Sequence, residues 1–333
     1  MTEILLAENA VLTEQRDLMI GEYLSKVKVC DECRAQHYCI MNDLRRSREP
    51  QDYCEENFKQ YLKSLIYPLK THRPEVKIYV AMHKRDKHIQ QALVNPIFVP
   101  IHCGKAIYTE EGDTSGWLSP LSDDTGDNIS HMNSHYCELT AAYWIWKNDT
   151  SRPDDIVGLN HYRRYFADPD MNKNELIQKE TVIELLKQSD FLVNGCGTEW
   201  DGTTSDETSV YNSYRNIHEG KDMDNALIAV KELFPDLYPR FEHEIMHSGA
   251  MCLCNMFVTT KKKFDEYCSF LFPVLEQVGS KIDWTDSRRQ GYGGRALGFL
   301  SERLLRAWLK SVGYSGRAVP CIDWEKYSGY KWK

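Results

Sequence analysis

The chain reads as two unlike stretches of hydrophobic patterning. Over residues 1–74 the apolar residues recur at helical spacing, as at Leu5, Leu12, Met19 and Tyr23, and again at Phe58, Tyr61, Leu62 and Leu65. No strand-like run interrupts them and no glycine follows Gly21 there, so a small helical extension is predicted. Pro68 and Pro74 then bracket a polar stretch that reads as a linker. The pattern changes at Val76-Lys77-Ile78-Tyr79-Val80-Ala81-Met82, an apolar run of the kind that forms a buried strand. From residue 75 to 333 such runs alternate with helical spacing. Strands are predicted over 97–102, 156–159, 191–193 and 251–259, and helices over 134–147, 181–188, 222–233, 262–277 and 299–311. A Gly-, Thr- and Ser-rich loop is expected at 195–209 and a glycine-rich one at 291–294. This alternation predicts an α/β domain with a mainly parallel, Rossmann-like sheet flanked by helices on both faces.

The chemistry concentrates between residues 127 and 166. The apolar strand Ile156-Val157-Gly158-Leu159 runs straight into Asn160-His161-Tyr162-Arg163-Arg164. Polar and cationic side chains are costly at the end of a buried strand unless something anionic sits opposite. The carboxyl ends of strands are also where open α/β sheets bind ligands. Arginine stays charged, and its planar fork suits phosphate oxygens. A diphosphate-bearing substrate is therefore expected beside His161, Arg163 and Arg164. The bland alternative is that neighbouring arginines point to opposite faces of the strand, so that one pairs with a carboxylate. Upstream, Asp127, Asn128 and Asn133 flank a predicted helix start, where such residues commonly cap. Their density near Glu138 equally suits holding a donor. Tyr143, Trp144 and Trp146 on the same segment are expected in the core.

Composition narrows the class. A formal charge of −8 argues against a nucleic-acid-binding face. No apolar run approaches the roughly 20 residues of a membrane span, and the first residues are acidic where a signal peptide would be basic. The expectation is a cytoplasmic protein, with peripheral association at the inner face of a membrane left open. Of the 11 cysteines, Cys30, Cys33, Cys39 and Cys54 cluster near His37 in the N-terminal stretch. A CxxC pair with two further cysteines suits a structural zinc or an iron–sulfur cluster, or simple packing of thiols. The others, such as Cys252 and Cys254, read as reduced, buried thiols.

Two resemblances extend this reading. Asn255-Met256-Phe257-Val258, the helical stretch 261–272, Gly298 to Leu304, Gly313-Tyr314 and Val319-Pro320 follow one another as in the second half of a GT-A-type glycosyltransferase. That resemblance implies that an acidic residue opening a helix, here Glu302, acts as base on the acceptor hydroxyl. The bland alternative is a pairing of Glu302 with Arg306 one turn on. More broadly, KIYVAMHK, the DNIS and YCELTAAYWIWKN segments, VGLNHYRRYF, CNMFVTTKKKFDEYCSFLFPVL and GFLSERLLRAWL resemble the domain of unknown function 4422 group over residues 76–330. That group comprises GT-A-like glycosyltransferases of bacterial capsule, exopolysaccharide and O-antigen synthesis.

The resemblance implies an inverting transfer from a UDP-sugar, with galactofuranose or galactose as the sugar, to a glycan or lipid-linked glycan. It places Met82, His83 and Lys84 at the nucleotide, and His218, His247 and Arg295 on the acceptor side. GT-A enzymes commonly carry Asp-x-Asp where this chain has Asn160 to Arg164, while Asp154-Asp155 precedes the strand. The two arginines are thus expected to replace a catalytic metal. Other readings are a non-catalytic sugar- or nucleotide-binding module that organises an assembly complex, and a nucleotide-sugar hydrolase or phosphorylase. Asp286 and Glu138 are the next candidates for the base.

Overall fold

A computed structural model describes residues 73–83, 95–110, 112, 119, 121–170, 175–194 and 209–323. The expected N-terminal helical region with Cys30, Cys33, Cys39 and Cys54, together with Lys84 and the loop expected at 195–209 save its last residue, lies outside the described residues.

The frame is one sheet. Strands β1 (Val76–Met82), β2 (Phe98–His102), β3 (Ile156–His161), β5 (Phe191–Asn194), β6 (Phe257–Thr260) and β7 (Gly316–Val319) lie in the order β2-β1-β3-β6-β5-β7. Two short strands, β4 (Arg164–Phe166) and β8 (Cys321–Asp323), continue from β3 off this path. β1 runs parallel to β2 and β3, and β5 parallel to β7, whereas β6 runs antiparallel to both β3 and β5. In the main path only β6 is therefore reversed, and the sheet is mainly parallel in strand direction.

β1 is apolar at nearly every position because both its faces are covered. Ile78, Val80 and Met82 join one core with Tyr165, Phe166 and Val182, while Tyr79 and Ala81 join the other. At Gly158 an added Cβ would meet the Phe257 carbonyl oxygen at 2.7 Å, so the residue's size sets the β3–β6 approach.

Helix α1 (Lys105–Glu110) follows β2, and α2 (Asn133–Tyr136) and α3 (Leu139–Asn148) precede β3. α4 (Lys179–Leu186) leads into β5, and α5 (Val210–Ile217), α6 (Gly220–Leu233) and α7 (Tyr238–His247) fill the interval before β6. α8 (Lys261–Gly279) and α9 (Ala296–Val312) complete the larger core with Phe264, Leu271, Leu300, Leu304 and Trp308. α9 ends at Gly313, whose φ of +82° lets the chain turn while the Tyr314 amide donates to the Leu309 carbonyl at 2.9 Å.

Three departures from the sequence expectation matter for the site. The single helix expected over 134–147 is broken: Cys137 takes φ +53° and ψ −132° between α2 and α3. The strand expected from residue 251 begins only at Phe257, because Leu253–Asn255 forms a 3₁₀ turn with Cys254 at φ +66° and Asn255 at φ +50°. α9 begins at Ala296 rather than 299, which puts Glu302 two turns inside the helix instead of at its opening. In the first two cases a polar contact outweighs the local apolar pattern.

Candidate functional site

The carboxyl ends of two adjacent parallel strands define the site. β1 ends at Met82, β3 ends at His161, and Ala81 is paired with His161 in register. A cavity of about 390 Å³ opens there, lined by Met82, His83, Asn133, Glu138, His161, Tyr162, Arg163 and Arg295 among others. Beyond His161 the chain does not continue as a strand. Tyr162 and Arg163 form a two-residue turn, and Arg164 pairs back with His161. The two arginines therefore diverge through a hairpin and not through strand alternation. Arg163 lies over the Tyr162 ring, its guanidinium carbon 5.1 Å from the centroid, and faces the cavity. Arg164 Nη1 donates to Cys254 Sγ at 3.2 Å.

His161 is built as a neutral donor. The Arg163 amide donates to its Nδ1 at 3.3 Å, which leaves the ring proton on Nε2. Burial, followed by the charges of Arg163, Arg164 and Arg295, pushes its pKa down to about 3. Its ring stacks on Tyr162 with centroids 4.4 Å apart, and His83 meets the same tyrosine edge-on at 5.1 Å.

Two glutamates stand behind these groups. Glu138 reaches the cavity because the helix breaks at Cys137. Asn133 Nδ2 holds that break by donating to the Cys137 carbonyl at 2.7 Å and to Thr140 Oγ1 at 2.9 Å. Gly298 lets α9 approach it, since a Cβ there would sit 2.9 Å from Cys137 Sγ. Glu138 Oε1 accepts from Asn255 Nδ2 at 2.8 Å, and Ser301 Oγ donates to Asn255 Oδ1 at 2.7 Å. Glu302 accepts at Oε1 from the Cys254 amide at 2.9 Å and at Oε2 from Arg303 Nη1 at 2.7 Å. The Cys254–Asn255 step thus fastens both carboxylates from consecutive residues. It does so in left-handed backbone, which costs about 1–3 kcal/mol per non-glycine residue and clusters at functional sites.

Burial raises the pKa of Glu138 to about 7, helped by the neighbouring Glu302 charge and opposed by the Asn255 hydrogen bond and Arg295. Glu302 is also raised by burial, while Arg303, the Cys254 amide, Arg295 and Arg164 oppose the rise. The arrangement joins a carboxyl poised near neutrality, a neutral imidazole donor and fixed cations around one opening. Chemically it suits accepting a proton on one side while stabilising anionic charge on the other.

The remaining sequence candidates distribute unevenly. Asp127 accepts from Tyr143 Oη at 3.2 Å and its amide donates to Asn148 Oδ1 at 3.0 Å, so it braces a loop against α3. Asn128 Oδ1 accepts from the Ser130 amide at 3.1 Å and starts the 3₁₀ turn Ser130–Met132. Neither lines the cavity, and neither caps a helix: both brace the loop before the 3₁₀ turn. Asn133 lines it but commits its amide to the helix break. His218 lines a different cavity, and His247 is exposed on α7, its ring 4.9 Å from that of His243. Arg295, expected on the acceptor side, lies in the strand-end cavity, where its Nε donates to Cys137 Sγ at 3.2 Å.

Glu302 does not pair with Arg306, which instead bonds Glu244 and Ser248 Oγ. Asp155 ends a turn, accepting from the amides of Glu75 and Arg152 at 2.9 Å each. Among the described residues no three His, Cys, Asp or Glu side chains gather as a metal-holding group. Sequence reading missed Cys137, Cys254, Asn255 and Tyr162 as parts of the site. A polar Asn255 inside the apolar run from Ala250 to Val258 was the available signal, because buried amides require partners.

Comparison with known proteins bears on the family and the fold. A family model described as Domain of unknown function (DUF4422) matches residues 77–313. Among solved structures, the chain is similar to one described as the apo structure of the WbbM bifunctional glycosyltransferase, with a TM-score of 0.59 and 25% identity. The similarity covers 74% of this chain and 45% of that one, so the chain spans less than half the length of that neighbour. No curated protein matches.

Proposed function

We propose that this chain, which belongs to the DUF4422 family, is a glycosyltransferase that moves a sugar from a UDP-sugar to a glycan acceptor. One observation carries the reading. Glu138, with its pKa near 7, lines the same strand-end cavity as His161, Arg163 and Arg295, in a fold shared with a glycosyltransferase.

In the proposed reaction Glu138 takes the proton from an acceptor hydroxyl. That oxygen forms a bond to the anomeric carbon of the donor as the bond from that carbon to the diphosphate oxygen breaks. UDP leaves with the electron pair, and Arg163 and the Nε2–H of His161 stabilise its charge, with the positive field of Arg164 added from beside Cys254. Attack opposite the leaving group inverts the anomeric centre. Glu302, the base expected from sequence, is assigned a supporting role: both its oxygens already accept fixed hydrogen bonds, and its charge helps hold Glu138 near neutrality. Arginines and a neutral donor in place of strand-end carboxylates favour transfer without a divalent metal. Galactofuranose or galactose as the sugar, and a lipid-linked glycan presented at the inner face of a membrane, complete the proposal. Among the described residues no helix is long and apolar enough to cross a membrane.

The test is calorimetry with a panel of nucleotides, then product analysis with UDP-sugars and a glycan acceptor in EDTA, with folding monitored. UDP binding and sugar transfer in EDTA are expected. UDP binding without turnover would instead indicate a binding module, and sugar release without an acceptor would indicate a hydrolase.

A further inference from the structure

A second cavity, of about 540 Å³, lies on the other side of the 3₁₀ turn Gly291–Arg295. Gly291 and Arg295 line the first cavity, while Tyr292 and Gly293 line the second. The turn is a thin shared wall, and its thinness depends on Gly293, where a Cβ would fall 1.8 Å from the Arg288 carbonyl oxygen.

The second cavity has an unusual apolar wall. His218 stacks on Phe299 with centroids 4.5 Å apart and planes 18° from parallel, and Tyr292 meets the same Phe299 at 4.7 Å. Tyr292 is 67% exposed and Ile217, on the same cavity, is 64% exposed. They are two of the four exposed large hydrophobic residues among those described. Singly exposed apolar residues are ordinary, but two on the wall of one cavity, beside a stacked aromatic pair, mark a candidate binding surface. Burial pushes the His218 pKa down to about 4, so its ring meets a ligand uncharged.

The opposite walls are polar, and three of their four cations are neutralised by carboxylates, the fourth being the exposed Lys221. Arg289 holds both oxygens of Asp222 at 2.7 Å, Arg288 holds Glu219 at 2.7 Å, and Arg215 holds Asp224 at 3.2 Å. Three arginines that already grip carboxylates are poorly disposed to a phosphate or an acidic sugar. Their remaining N–H groups and carboxylate lone pairs still suit hydroxyls. An aromatic face beside paired donors and acceptors matches the two sides of a sugar ring, one of C–H groups and one of hydroxyls.

We infer that this cavity is a subsite for an uncharged sugar unit of the glycan chain, set back from the reacting hydroxyl by the width of the Gly291–Arg295 wall. The inference rests on the transferase reading for its role, while its chemistry rests on the cavity alone. Tyr292, Phe299 and His218 form the platform, and the paired arginines and acids contact the hydroxyls.

The experiment uses the full chain on an array of neutral and acidic bacterial-surface glycans, with calorimetry on the strongest neutral ligand and, separately, on UDP. Neutral glycans of more than one unit are expected to bind. Tyr292→Ala and His218→Ala should each weaken that binding about fivefold or more, and Tyr292→Phe should keep it, because stacking needs the ring. UDP affinity should not change in any of the three. Because Tyr292 is largely exposed, its substitution is expected to leave the fold intact. Binding only to acidic glycans, binding to none, or neutral-glycan affinity unchanged in both alanine variants would overturn the inference. Loss of UDP binding in the unaltered protein, with neutral-glycan binding kept, would sink the transferase reading and leave the subsite standing.

Discussion

The two cavities on either side of the Gly291–Arg295 turn are built on opposite electrostatic plans. The strand-end cavity gathers Arg163, Arg295 and His161 around Glu138, whose own charge is half suppressed near pH 7. The helical cavity holds Arg215, Arg288 and Arg289, but each grips a carboxylate from the same lining. Arginine count alone would make the second cavity the better phosphate site. Pairing reverses that order, because an arginine engaged by a carboxylate has spent much of its attraction for a second anion. The origin of each follows from topology. Parallel strand ends bring residues from β1 and β3 into one opening, whereas α5, α6 and the turns before α9 bring together surface helices that neutralise one another.

The comparison is broken most directly at Glu138. Glu138→Gln should lower turnover by about 100-fold or more, the scale of losing a positioned base, with UDP and glycan affinities nearly unchanged. A deeper loss in Glu302→Gln, with Glu138→Gln still active, would return the base to Glu302. The cations come next. Arg163→Ala or Arg164→Ala should weaken UDP binding about tenfold or more and slow transfer as well, since phosphate charge is present in both ground and transition states. Arg288→Ala should leave UDP affinity unchanged. If Arg288→Ala weakened UDP as much as Arg163→Ala did, the division between a phosphate cavity and a neutral one would fail.

A smaller effect sharpens the first cavity. Transfer should rise with pH through about 7, because Glu138 must lose its proton before it can accept another and burial holds its pKa there. His161 contributes no limb in this range, being neutral above about 3. In Glu302→Gln the repelling charge beside Glu138 is gone, so the rising limb should move to lower pH, read from kcat/KM profiles of the two proteins. An unmoved limb would detach the two carboxylates from each other.

How much of this was legible in the chain differs between the two regions. β1 and β3 announce themselves as continuous apolar runs, and the polar residues at their ends mark the first cavity in the sequence itself. Family resemblance then supplied the order of the later elements. The hairpin at Tyr162-Arg163 was hidden, because Tyr165 and Phe166 become strand through pairing with Cys321 and Ile322 far along the chain. The break at Cys137 was equally hidden: Leu139 to Trp146 has good helical spacing, and the kink depends on the Asn133 side chain and on the fit of Gly298 against Cys137. The second cavity was barely visible. Tyr292 and His218 lie 74 positions apart and meet only through Phe299. No local pattern encodes such a platform.

Asp127 carries the smallest expected effect and tests how far the donor side extends. Its density of polar neighbours in sequence pointed to donor binding, yet its contacts are with Tyr143 and Asn148 on α3. These are exposed hydrogen bonds, each worth about 0.5–1.5 kcal/mol at most. Gly126, at φ +59°, holds the tight approach to Asn148 that positions them. Asp127→Ala should therefore cost a little stability, seen as a slightly lower denaturation midpoint, and leave UDP affinity within about twofold of the unaltered protein. Asn128→Ala should behave alike, since its side chain serves the Ser130 turn. A tenfold loss of UDP affinity in either variant would place this loop on the donor and enlarge the strand-end cavity beyond Glu138.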